Sequence, residues 1–159
     1  MMHDMRKTRS SLPGSFAWFS ICCLILFLLS IPVFAAREGP RDPASSSFEE
    51  ELLNRINRYR GKNGLQPLSF DEKCYSLATH HSRQMSREDR LHHDDFVERY
   101  SRSGCSLCVE NVGWNFGTAG EQFEGWRKSN GHNKNMLQKR IRIAGISEVG
   151  AYVTFFACN

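Results

Sequence analysis

Val149-Gly150-Ala151-Tyr152-Val153-Thr154-Phe155-Phe156-Ala157-Cys158 is dense in β-branched and aromatic residues, as is Ile141-Arg142-Ile143 just before it. Such composition predicts strands, and Gly150 offers a turn between them. Val109 to Trp114 is a further short strand by the same reasoning. The segments ahead of these strands carry helical periodicity instead, so helices precede a few antiparallel strands, which is an α+β layered domain.

The first helix begins near Phe48. Ser47 and Glu50 make a capping-box pair, and Phe48, Leu52, Ile56 and Tyr59 recur at helical spacing, with Leu53 widening the stripe and Gly61 and Gly64 ending it. In the second, Ser69 and Glu72 form another capping pair, and Cys74, Leu77, Ala78, His81 and Met85 make its apolar face. This periodicity puts His81 toward the core and His80 outside. Arg83 to Asp95 reads as a charged loop holding His92 and His93, and Phe96 to Tyr100 as a helical turn or two. Glu121 to Ser129 is helical, and Asn133 to Leu137 forms a further short turn. Aromatic residues spaced as Trp114, Phe116, Phe123 and Trp126 suit either a core or an apolar groove.

Residues 1–36 look like a targeting segment. Arg6, Lys7 and Arg9 precede the 19 uncharged residues Phe16 to Phe34, a positive flank followed by an apolar run. Pro32 and the Ala35-Ala36 pair favour cleavage of a signal peptide. The length would also serve an uncleaved membrane anchor. Either way the remainder lies outside the cytoplasm, secreted or tethered. Cys22 and Cys23 fall inside the apolar run and read as filler. Residues 37–47, rich in Pro, Ser, Gly and charge, form a linker to a domain spanning 48–159.

Export permits disulfides among the even set Cys74, Cys105, Cys108 and Cys158. Three pairings are possible, of which Cys105–Cys108 with Cys74–Cys158 is preferred here. Cys105-Ser106-Leu107-Cys108 also has the spacing of a redox pair or of half a zinc ribbon. It lacks the βαβ context of the first and the second cysteine pair of the other, so a loop disulfide ahead of Glu110 is the expectation. Removing Arg6, Lys7, Arg9 and Asp4 leaves 18 basic and 16 acidic residues, a net of +2 with both signs interspersed. That excludes a dense basic stripe for nucleic acid. The domain is read as a monomer whose membrane contact is confined to its N-terminal segment.

Six motifs in order then carry a resemblance. They are Asn57-Arg58-Tyr59-Arg60 with Gly64-Leu65-Gln66-Pro67-Leu68; Ala78 to Ser82 with Met85; Leu91-His92-His93; Glu110-Asn111-Val112; Trp126 to His132; and Asn135-Met136-Leu137. Together they resemble the CAP superfamily of cysteine-rich secretory, antigen 5 and pathogenesis-related proteins (the SCP domain), in its compact bacterial-type form. The resemblance implies a three-layer α-β-α sandwich around a small antiparallel sheet. It also implies a shallow cleft with two histidines and two acidic residues. His93 and His132 match the histidines and Glu110 the first acid, with His92 a poorer match than His93. Ser129 stands where many members carry the second acid.

Two imidazoles and one carboxylate are a competent zinc ligand set with a fourth position open to water. His93, Glu110 and His132 are therefore candidate metal ligands, zinc is the candidate cofactor, and a zinc-dependent hydrolase is the alternative function. The competing reading is that Glu110 hydrogen-bonds a histidine and the trio organises the cleft. Ser129 is a cleft candidate, but without a Gly-x-Ser-x-Gly elbow it reads as a helix-ending hydrogen-bonder rather than a nucleophile. No catalytic residue is assigned. The reading preferred is a binding module for a lipid, peptide or protein ligand.

Overall fold

The computed structural model describes residues 47–159, so the targeting segment, Cys22 and Cys23, and linker residues 37–46 lie outside the described residues. Ser47 caps α1 (Phe48–Lys62) by accepting a hydrogen bond from the Glu50 amide. Then come β1 (Ser69–Phe70), α2 (Glu72–Glu88), α3 (Phe96–Ser103), β2 (Cys108–Trp114), α4 (Ala119–Lys128), α5 (Asn130–Met136), β3 (Ile143–Val149) and β4 (Tyr152–Cys158). No helix among the described residues is long and apolar enough to cross a membrane.

The four strands form one sheet in the order β1-β3-β4-β2. β4 runs antiparallel to both β2 and β3, while two-residue β1 joins the edge of β3 in parallel, an addition to the antiparallel sheet expected. β3 and β4 are joined at Gly150, whose φ of +60° suits glycine. Side chains alternate across β4. Val153, Phe155 and Ala157 pack with Leu52 and Ile56 of α1 and Phe123 and Trp126 of α4, whereas Phe156 and Cys158 pack with Cys74, Leu77 and Ala78 of α2. Helices thus cover both faces, and the three-layer α-β-α sandwich is the observed architecture. Gly145 permits the closest approach, because a side chain there would collide with the backbone of Cys74 and Tyr75 in α2.

Several local expectations are corrected. α2 continues through Arg83–Glu88, since Ser82 and Met85 keep its buried face going beyond His81. Its N-cap is Asp71, accepting from the Cys74 amide at 2.8 Å, because Ser69 belongs to β1. Gly61 lies within α1, whose C-cap is Asn63. Arg60 proves fully buried, donating to the carbonyls of Gln66, Met136 and Gln138 and so fastening α1 to the segment after α5. The preferred disulfide pairing is also corrected. The β2–β4 register puts Cys108 directly opposite Cys158, and these two are bonded, with Cα atoms 4.1 Å apart. Cys74 and Cys105 are free thiols.

Candidate functional site

Glu110 sits in the middle of β2, where its side chain emerges beneath α2, α3 and the loop joining them. It is 5% exposed, and its carboxylate receives three hydrogen bonds. Arg99 of α3, itself buried, donates through Nε to Oε2 at 2.8 Å and through a second guanidinium nitrogen to Oε1 at 2.9 Å. His93 Nδ1 donates to Oε1 at 2.9 Å. Burial by itself raises the Glu110 carboxyl, but the hydrogen bonds from His93 and Arg99 and the Arg99 charge outweigh it and hold the group below the usual carboxylate value. Glu110 is therefore an anion bound by its own protein.

This fixes the tautomer of His93. An ionised carboxylate only accepts, so Nδ1 carries the proton and Nε2 of the neutral ring keeps a lone pair on an imidazole that is half exposed. His132, in the first turns of α5, is half-buried, and its ring lies edge-on to that of Trp126 with centroids 6.3 Å apart. Burial first, then the neighbouring His93, lowers its proton affinity, which places the two imidazoles in each other's field. Two asparagines tie α5 to β2. Asn135 donates to the Glu110 carbonyl and to Asn111 Oδ1, both at 2.9 Å, and Asn111 donates to the His132 carbonyl at 3.0 Å.

A further pair of histidines lies behind the carboxylate. His81, fully buried, donates from Nε2 to the His92 carbonyl at 2.9 Å and stands 3.7 Å from Glu110 Oε1. Burial lowers its pKa, with the Glu110 charge only partly opposing, so it is a neutral core histidine. His92 is not an open loop residue. Its ring is buried edge-on against His81 at 5.1 Å and accepts from the Asp94 amide. His80 is exposed.

The residues anticipated from sequence thus divide. His93 and Glu110 touch, His132 is close enough to His93 to feel its charge without bonding to it, and Ser129 is the junction residue between α4 and α5, where its side chain makes no capping bond. Arg99 was missed. Its signal was a basic residue one turn after Phe96 on a face that otherwise packs inward, opposite an acid in a strand. The aromatic set divides too. Phe123 and Trp126 are core, with Trp126 Nε1 donating to the Val112 carbonyl at 2.9 Å, whereas Trp114 and Phe116 are exposed.

Zinc does not fit the anticipated ligand set. Arg99 engages both oxygens of Glu110 and His93 engages one of them, so three of the carboxylate's four lone-pair directions are already taken and only one, on Oε2, is left. Among the described residues, the group of three or more His, Cys, Asp or Glu whose ligand atoms lie within 4.8 Å of one another is Cys105, Cys108 and Cys158, and two of these are joined in the disulfide. A hollow of about 360 Å³ between α1 and α4 is lined by Arg55, Arg58, Tyr59, Lys62 and Arg127, none of which belongs to the histidine site.

Known proteins bear on this geometry. YkwD of Bacillus subtilis (strain 168) is 27% identical over 93% of this chain, and the match spans 62% of that relative's length. An extracellular SCP-domain protein of Bacillus anthracis superposes over 70% of this chain and 40% of its own, with a TM-score of 0.67 and 22% identity. An outer surface protein of Borrelia burgdorferi superposes over 69% of this chain and 90% of its own, with a TM-score of 0.62 and 15% identity. The model of the CAP, cysteine-rich secretory protein family matches residues 53–159, from within α1 to the last residue, and the chain belongs to that family.

Proposed function

We propose that this chain is an extracytoplasmic binding module that holds a lipid or peptide ligand at the His93–His132 cleft without chemical change. The observation that carries the reading is the engagement of Glu110 by Arg99 and His93. A hydrolytic site needs a carboxylate free to take a proton or a metal. Here that group is instead the internal support of one imidazole. What the cleft offers outward is the Nε2 acceptor of His93 and the ring of His132, with Leu91 and Val97 exposed within a few residues of His93. An amphiphilic ligand meets both features: a polar head for the imidazoles and an apolar portion for the leucine and valine. The extracytoplasmic setting is supported by the apolar segment Phe16 to Phe34 and by the disulfide, which oxidising compartments maintain.

The full-length chain is tested by calorimetry and fluorescence. Peptides and lipid vesicles should bind and change the emission of Trp126, which adjoins His132, and His132→Ala should weaken that binding at least several-fold. Peptide or ester hydrolysis that disappears in His132→Ala would overturn the reading. So would zinc binding near neutral pH that is lost when both histidines are replaced, since it would favour the metal-dependent hydrolase.

A further inference from the structure

We propose that Cys105, Cys108 and Cys158 form a thiol–disulfide exchange site in which the Cys105 thiol enters the Cys108–Cys158 bond. The three sulfur atoms all lie within 4.8 Å of one another, although only two are bonded. The third, Cys105, lies on the loop between α3 and β2 and is half-buried, as is Cys108. Cys158 is fully buried, and burial pushes the nearby Cys74 thiol up to about 12, which keeps it protonated. The loop is held in place from both sides. Asn159 Oδ1 accepts from the amides of Ser106 and Leu107, and the Asn159 amide donates to the Leu107 carbonyl, so the entering sulfur is tethered to the strand end that carries its target.

The step is an isomerisation and needs no external oxidant or reductant. Cys105 gives up its proton, and its sulfur attacks Sγ of Cys158. The Cys108–Cys158 bond breaks, its electron pair passes to the Cys108 sulfur, and that sulfur takes up the proton. Cys108 is the leaving sulfur because it is the less buried of the pair and because the Ser103 hydroxyl stands 3.3 Å from it. That hydroxyl donates to the Tyr100 carbonyl in the bonded state and can turn to the released sulfur. The result is a Cys105–Cys158 bond and a free Cys108 thiol at the start of β2. The site is independent of the histidine cleft, and its reaction partners beyond this chain would be thiols and disulfides arriving at Cys105.

The experiment uses the full-length chain with Cys22, Cys23 and Cys74 changed to alanine, leaving these three sulfurs. It is equilibrated at about pH 8, where a free cysteine is partly thiolate. Samples are then quenched in acid, unfolded, alkylated, digested and mapped by mass spectrometry. The expected result is alkylation mainly at Cys105, with Cys108 alkylated in at least about one chain in a hundred, a population typical of a minor state. Ser103→Ala should lower the Cys108 fraction roughly fivefold, the worth of one hydrogen bond, and Cys105→Ser should abolish it. Alkylation at Cys105 alone, or a Cys108 fraction unchanged by Cys105→Ser, would overturn the proposal, and alkylation at Cys158 in place of Cys108 would overturn the direction of attack. The same mapping on a chain that retains Cys74 guards against a packing defect at that buried position.

Discussion

Arg99 and Glu110 form a two-pronged ion pair between α3 and β2, with both side chains almost wholly withdrawn from solvent. Such a pair is weak as a source of net stability but severe when broken, because the surviving charge has no water to turn to. Arg99→Met should therefore destabilise the domain by about 3–5 kcal/mol in denaturant unfolding. Arg99→Met with Glu110→Leu should recover much of the loss. A single variant within about 0.5 kcal/mol of the parent, the range of ordinary surface substitutions, would show that the pair is not buried as described.

The same pair has a pH signature. Glu110 titrates below its ordinary value of 4.5 in the fold, so the folded state binds its proton less readily than the unfolded chain does. The associated stability is fully present above the unfolded value and is lost as pH falls through the folded one. The unfolding midpoint should accordingly drop as the solution is acidified below pH 4.5. In the doubly substituted chain lacking Arg99 and Glu110 this part of the drop should be absent. An identical acid profile in the two proteins would remove the assignment.

His81 adds a second window. Its pKa is lowered from 6.5 mainly by burial, so protonation favours the unfolded chain, and the stability is present above 6.5 and lost as pH falls below it. His132 behaves in the same direction. Histidine-resolved NMR titration should show both rings titrating with midpoints below pH 6.5, and His93 in the tautomer protonated at Nδ1. A His81 midpoint above 6.5 would contradict the burial of that ring, and a His93 proton on Nε2 would break the link to Glu110.

Helical stripes and branched, aromatic runs made the layers legible in the sequence, because Leu52, Ile56, Cys74, Leu77 and Phe155 each obey the period of the element they occupy. The motif order also singled out His93 and Glu110, which hydrogen-bond each other. What escaped was polar burial and register. Arg60 and Arg99 are charged residues buried against partners from distant segments, and periodicity scores them as surface positions. The disulfide depended on β2 and β4 meeting at Cys108 and Cys158, a pairing set by strand alignment across 50 residues. His92 was placed in an open loop because the continuation of α2, which folds the loop back over His81, follows from packing beyond the point where the sequence turns charged.

Asn135 offers a test of how α5 is held. Its side-chain amide donates to the Glu110 carbonyl and to Asn111, and Asn111 donates in turn to the His132 carbonyl. Asn135→Ala leaves acceptors on β2 unpaired and should destabilise the fold by about 1–3 kcal/mol. It should also shift the NMR resonances of His132 while leaving those of His81 in place. Uniform changes across all histidines would indicate general loosening rather than a released α5.

The Cys108–Cys158 bond closes a loop whose ends are 50 positions apart in sequence, and closing a loop of that size restricts the unfolded chain by about 4 kcal/mol. Because the two residues are already paired opposite each other in β2 and β4, the native sheet retains its neighbours when the bond is absent. The expected loss therefore lies in the unfolded ensemble. Replacing both cysteines by alanine should lower the denaturant midpoint accordingly and leave the far-ultraviolet circular dichroism and the His93 and His132 resonances little changed. The size of the loss discriminates between pairings. A bond within Cys105–Cys108 closes only a few residues, so its removal would cost the unfolded chain far less restriction. A loss well under 1 kcal/mol on replacing Cys158 would count against the long loop and in favour of the short one.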